Sequence, residues 1–287
     1  MNLADATQST FSIFRQADAG SGGTAPWHRL LSAMLIALTG LLSLLAFAAP
    51  FLVPVLAPGV AADAAVRPDA PLITGVLVLL ALAILLVELQ GQAMSTKTLA
   101  ALGVLVAMTA VLRFVEVAIP GPGGVSPIFV PVILAGYVFG ARFGFLLGSL
   151  GLFVSAVITG GVGPWLPYQM IVTGWVGLTA GWLPHPRGAR AQLLLLTLFG
   201  VFWGLFFGML LNLYFWPLLM DGSGATWQPG LSWRANAGRY AAFYLGTSFV
   251  WDVGRAAGNA LLMLAIGAPA VRALQRFRRR FAFAHEQ

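Results

Sequence analysis

LAALGVLVAMTAVLRFVEVA, residues 99–118, is the stretch that decides the class of fold. At the rise of an α-helix its twenty residues cover about 30 Å, the thickness of a bilayer's hydrocarbon core. Arg113 and Glu116 are its only charges. Working outward, apolar runs of the same kind precede it at about 30–56 and 71–89. Others follow at about 127–139, 143–159, 165–183, 192–219 and 237–267. The chain is therefore expected to be an all-α integral membrane protein with eight transmembrane helices. Composition agrees: 59% of the 287 residues are hydrophobic and 9% charged, with mean hydropathy +0.87. A soluble domain carries about 25% charged residues, so lipid must cover what polar side chains do not.

The first run, after Arg29, contains the small-residue triplet Ala46-Phe47-Ala48. It is far longer than the 7–15 residues of a signal-peptide core, so a retained helix is expected. The run at 127–139 is short and holds Pro127 and Pro131, which predicts a helix that is tilted, broken or shielded by its neighbours. Placing both termini in the cytoplasm puts Arg15, Arg29, Lys97, Arg142, Arg187, Arg190, Arg272, Arg276, Arg278, Arg279 and Arg280 on the inside. Arg67, Arg113, Arg234, Arg239 and Arg255 are left outside or buried, and that bias selects an N-in, C-in topology at the plasma membrane. Four regions follow: a flexible cytoplasmic tail at 1–28, a helix pair at 29–90, a six-helix core at 99–268 and a basic cytoplasmic tail at 269–287.

Several kinds of chemistry are unsupported. Lys97 is the only lysine and no Gly-x-x-x-x-Gly-Lys-Ser/Thr loop exists, so the chain cannot cradle ATP phosphates in the usual way. His28, His185 and His285 are remote from one another, and there is no cysteine. Neither a metal site nor a Ser–His–acid constellation is expected. The basic pI near 10.8 comes largely from the C-terminal cluster and reads as a topology signal, not a nucleic-acid site. Binding or transport is the favoured class, and no catalytic residue or bound cofactor is expected.

Ionisable groups within spans are costly and mark candidate sites. Arg113 and Glu116, at i and i+3, can pair on one helix face at the outer end of their span. Asp252 and Arg255 repeat that spacing, with Asn259 one turn on, and suit a role as interhelical glue. Trp165, Tyr168, Tyr214, Trp216, Trp227, Trp233, Tyr240 and Tyr244 concentrate on the outer side. There an aromatic belt competes with a ligand-binding mouth, for which Gln169 and Asn212 could supply polar anchors. The loop from Pro120 to Pro127, with Gly121, Gly123 and Gly124, and the second glycine loop Gly160–Pro164 permit tight turns or close backbone approach to a ligand. Gly103 and Ala107 form a small-xxx-small pair that Ala110 extends, and such a stripe lets another helix approach closely.

The block Arg113-Phe114-Val115-Glu116, Gly123-Gly124-Val125-Ser126-Pro127 and Leu134-Ala135-Gly136-Tyr137-Val138-Phe139-Gly140, continued by Gly160-Gly161-Val162-Gly163-Pro164-Trp165-Leu166-Pro167-Tyr168-Gln169-Met170, resembles the substrate-binding (S) subunits of energy-coupling-factor vitamin importers. The resemblance covers about 99–268 and is closest to the cobalamin-type branch. It implies a subunit that captures a vitamin, cobalamin as the first expectation, at its outer face. Its implied partners are a transmembrane coupling protein, docked at Gly103 and Ala107, and two ATPases that use the ATP. It also implies a ligand site at Arg113, Glu116, Gly124, Ser126, Trp165, Tyr168, Gln169, Asn212, Trp233 and Tyr240. The helix pair at 29–90 departs from the six-helix pattern. A stand-alone secondary transporter, which would favour inverted repeats and a midplane ionisable site, and a non-catalytic membrane assembly factor are the competing readings.

Overall fold

The computed structural model describes residues 26–56, 96–119, 122–163, 165–219, 224–228 and 230–282, with isolated positions between 76 and 87. Among the described residues there are eight α-helices and no strand. They are α1 (Pro26–Leu56), α2 (Thr96–Ala118), α3 (Phe129–Phe139), α4 (Ala141–Thr159), α5 (Leu166–Ala180), α6 (Ala189–Phe215), α7 (Trp233–Thr247) and α8 (Phe249–Ala282), with 3-10 turns at Pro122–Gly124 and Trp216–Leu218. By length and composition α2, α4, α6 and α8 are long and apolar enough to cross a membrane. The chain is a multi-pass membrane protein, all-helical among the described residues.

These eight are not the eight expected. Most of the run at 71–89 falls outside the described residues, as does Glu88. The last expected span, 237–267, is instead two helices broken at Ser248. Gly246, Thr247 and Ser248 are weak helix formers whose hydroxyls find local partners: Thr247 Oγ1 donates to the Phe243 carbonyl at 2.7 Å and lies 3.0 Å from Ser248 Oγ. The Ser248 carbonyl then accepts the first bond of α8, from the Asp252 amide at 3.1 Å. Past residue 268, where the basic tail was expected to begin, α8 continues without interruption to Ala282.

α3 is the hub. Its 11 residues, FVPVILAGYVF, carry no charge and nearly all are buried, as an all-round apolar helix must be. About 16 Å long, it reaches halfway across the hydrocarbon but has no need to meet lipid, because α2, α4, α5, α6 and α8 all pack against it. It is shielded and unbroken. Pro131 falls in the first turn, where the missing amide costs no intrahelical bond. The five outer helices run in the order α2, α4, α5, α6, α8, and the 3-10 turn at Pro122–Gly124 packs on α8.

Glycine makes the enclosure possible. A Cβ on Gly136 of α3 would overlap the carbonyl of Gly177 on α5, and Cβ atoms on Gly144 and Gly177 would each overlap the other's carbonyl. Gly148 of α4 likewise meets the Thr173 carbonyl. Backbone lies on backbone here, the close approach that small residues allow in membranes. The small-residue contacts of the core are thus on α4 and α5, whereas Gly103 of α2 has no atom within 4 Å of its Cβ position.

The substitution Gly177→Val is expected to cost more than the ~1–3 kcal/mol of ordinary overpacking, since backbone and not a flexible side chain blocks the methyl groups. Gly103→Val should leave stability unchanged. Thermal unfolding of both variants in detergent distinguishes them; equal melting temperatures would contradict the packing described.

Candidate functional site

The connections at 119–128, 160–165 and 216–232 gather at one end of the bundle, the loop end. At the other, the α2 N-terminus, the α3–α4 turn, residues 181–188 and the C-terminal turns of α8 form an arginine-rich end.

At the loop end, Arg113 Nη1 pairs with Glu116 Oε1 one turn on, and Ser126 Oγ donates to Glu116 Oε2 at 2.6 Å. Ser126 is buried, so both carboxylate oxygens are engaged, one from α2 and one from the loop. The loop is held down on α8. Gly124 has φ +70°, and a Cβ there would stand 2.9 Å from the Trp251 carbonyl oxygen. Both the turn and the lack of space require glycine. Gly254 of α8 lies directly against the Gly123 carbonyl, and Val125 covers Gly258. The expected group of Arg113, Glu116, Gly124 and Ser126 is therefore brought together.

A second polar network joins α6, α7 and α8. Arg255 Nη1 pairs with Asp252 Oδ1 and also donates to the Gly204 carbonyl at 3.3 Å. Tyr244 Oη donates to Asp252 Oδ2 at 2.9 Å. Asp252, 2% exposed, occupies the space that a side chain at Gly208 would fill, Ala256 rests on Gly204, and Asn259 Nδ2 donates to the Gly200 carbonyl at 2.9 Å. Glycines at 200, 204 and 208 make one groove along α6 into which α8 settles. Asp252, Arg255 and Asn259 thus act as the interhelical ties the sequence suggested.

The remaining expected residues separate into buried and exposed sets. Tyr168 is buried, stacked on Tyr214 with centroids 4.1 Å apart and met edge-on by Phe47 at 5.2 Å. Tyr240 is also enclosed: Trp216 meets its ring at 5.2 Å and its hydroxyl donates to the Met209 carbonyl. Phe51 stacks on Trp216, with centroids 5.9 Å apart. Tyr168, Tyr214, Trp216 and Tyr240 are core, not belt. Trp165 and Trp233 are 47% and 53% exposed and fit the belt. Trp165 Nε1 donates to the Gly161 carbonyl at 3.1 Å, and Arg234 lies over the Trp233 ring at 5.3 Å. Gln169 is partly buried in the first turn of α5, and Asn212 Nδ2 is turned back onto the Gly208 carbonyl at 2.9 Å.

Phe47 and Phe51 belong to α1, so the N-terminal helix docks on the core through its aromatics, a packing the sequence left open. Asn236 was missed. It is fully buried, accepts from the Gln228 amide at 3.1 Å and donates to the Gln228 carbonyl at 3.0 Å. With Arg239 donating to the Thr226 carbonyl at 3.0 Å and Trp216 Nε1 to the Ala225 carbonyl at 2.8 Å, it fastens the α6–α7 loop over the aromatic group. The only sequence signal was a capping serine at Ser232, which accepts from the Ala235 amide.

Gly103 and Ala107 are exposed on α2, beside Val104, Met108, Val111 and Phe114. Ala110 does not extend that face; it is buried, on the side of α2 where Thr109 meets Gly151 of α4.

Residues 93–232 match the family described as ECF-type riboflavin transporter, S component. The match takes in α2 to α6 and ends just before α7. The match, over just under half of the chain, supports a likeness to energy-coupling-factor S components and does not favour the cobalamin branch over the riboflavin one. No curated protein and no solved structure matches the chain.

Replacing Asp252 by Ala would leave the partly buried Arg255 guanidinium without its carboxylate partner and is expected to cost about 3 kcal/mol. The double substitution Asp252→Leu with Arg255→Met should recover most of that loss. Thermal unfolding of the two variants tests this; a double variant no more stable than Asp252→Ala would contradict it.

Proposed function

We propose that this chain captures a vitamin with a flat conjugated ring system at its loop end, for import by an ATP-driven energy-coupling-factor complex. Riboflavin is the first candidate cargo. One coincidence carries the reading: the family match and the loop-end residues occupy the same segment. The α2–α3 connection with Arg113, Glu116, Gly124 and Ser126, the α4–α5 connection with Trp165, Tyr168 and Gln169, and Asn212 all lie within 93–232, the residues that match a riboflavin-type S component. Trp233 and Tyr240 lie immediately beyond.

The chemistry of these residues suits such a ligand. Aromatic walls with a few fixed polar groups hold planar heterocycles, the rings supplying buried area and the polar groups orientation. Glu116, held from two sides, is an oriented acceptor, and the partly enclosed Arg113 is an oriented donor. Cobalamin, favoured by the motif resemblance around 113–127, is the competing cargo.

The loop end would face outward and the arginine end the cytoplasm, in keeping with the distribution of basic residues. The exposed face of α2 around Gly103 and Ala107 is the proposed contact for the coupling protein, with two ATPases supplying the nucleotide site that this sequence lacks.

Tryptophan fluorescence of the purified chain, titrated with a panel including riboflavin and cobalamin, should show saturable one-to-one binding of a single vitamin. The variant Glu116→Gln should weaken that binding at least tenfold. Binding of no member of the panel by the folded protein would sink the proposal. A Gly103→Trp variant should bind as tightly as the parent but support no uptake in cells that supply the coupling subunits, and unchanged uptake would remove the docking face.

A further inference from the structure

The basic residues of the arginine end are arranged as a ring. Four of the five helices around α3 contribute at least one, and the connection after α5 adds another: Lys97 in the first turn of α2, Arg142 in the first turn of α4, Arg187 in the α5–α6 connection, Arg190 in the first turn of α6, and Arg272, Arg276 and Arg279 on α8. The enclosed α3 contributes none. Both acidic side chains among the described residues, Glu116 and Asp252, lie at the opposite end, each already paired with an arginine. Among the described residues, therefore, no carboxylate pairs with Arg187, Arg190, Arg272, Arg276 or Arg279.

α8 sets the depth of the ring. Its 34 residues make it about 51 Å long against about 30 Å of hydrocarbon, so its last turns project beyond the acyl chains. They stay on the bundle. Phe277 meets Phe139 at 6.2 Å, and Arg278 reaches back to donate to the Val138 carbonyl at 2.6 Å. Arg272, Arg276 and Arg279 are exposed, as is Arg278 despite that bond. Trp182, 68% exposed, stands at the same end, five residues before Arg187. Guanidinium groups next to an exposed indole fit the boundary where acyl chain gives way to headgroup.

From this arrangement we propose that the arginine end binds anionic phospholipid headgroups, gripping their phosphates in an annulus around the bundle through Arg272, Arg276 and Arg279 of α8, Arg187 of the α5–α6 connection and Arg190 of α6. A ring drawn from four outer helices and the α5–α6 connection, with apolar and aromatic surface alongside, fits an annulus of lipid better than a protein partner seated on one side. The inference requires only that the chain spans a membrane and is independent of the identity of its cargo.

Thermal unfolding of the full chain in detergent, supplemented with phosphatidylglycerol or with phosphatidylcholine, tests it. Phosphatidylglycerol should raise the melting temperature several degrees more than phosphatidylcholine. The triple variant Arg272→Gln, Arg276→Gln, Arg279→Gln should lose at least half of that difference while melting normally in detergent alone. Equal shifts from the two lipids, or a full difference retained by the variant, would overturn the proposal. So would a variant that keeps the difference but no longer co-purifies with coupling and ATPase subunits, because the arginines would then serve a protein. Should the variant not fold, the unmodified chain still decides: in phosphatidylglycerol nanodiscs the added stability should fall as salt rises from about 0.05 to 0.5 M, and stability indifferent to salt would overturn the proposal.

Discussion

Backbone-to-backbone contact at Gly136, Gly144 and Gly177 is the constraint on which the rest of this molecule depends. Lipid tails are as apolar as leucine, so helices in a bilayer gain little from hiding hydrophobic surface from one another. Close packing must do the work, and it is greatest where no side chain intervenes. Three glycines let α3 sit inside the bundle, touched by all five neighbours. With α3 enclosed, an 11-residue helix can belong to a membrane-spanning structure without exposing its ends to hydrocarbon.

The loop end inherits its geometry from that packing. Because α3 is short, the chain from α2 must drop back into the bundle to begin it, and the turn at Gly123 and Gly124 makes that descent against α8. Glu116 and Ser126 pin the turn to α2. On the other side, α8 lies in the glycine groove of α6, tied by Asp252, Arg255 and Asn259, and α7 is folded over the aromatic group by Tyr240, Tyr244 and Asn236. Polar groups here do double duty, holding helix ends together and presenting a small number of oriented donors and acceptors at one face.

Much of this was legible in the sequence because membranes impose simple rules. Length and apolarity gave the class, and i, i+3 spacing gave both ion pairs. The glycine loop at 120–127 was recognisable as a place of close approach, though its partner, α8, was not. What stayed hidden depends on facts that no local pattern carries. Whether a tyrosine belongs to a belt or a core turns on what lies opposite: Tyr168 and Trp165 are three residues apart, yet one is sealed by Tyr214 and Phe47 and the other open. Ala110 continues the spacing of Gly103 and Ala107, but at i+3 it swings to the buried side of α2. The break at Ser248 fell within an otherwise continuous apolar run, and its signal, Gly-Thr-Ser, is weak by itself. Asn236 matters only because Gln228 is folded above it.

In the proposed function this chain binds its cargo but does not drive its passage. Uptake of radiolabelled riboflavin should be measured in cells that have no flavin uptake of their own, expressing this chain with and without the coupling protein and its ATPases. The account predicts accumulation only when all the subunits are present, abolished by inactivating the ATPases. Sustained uptake by this chain alone, collapsing with the proton or sodium gradient, would contradict it and identify a secondary transporter instead.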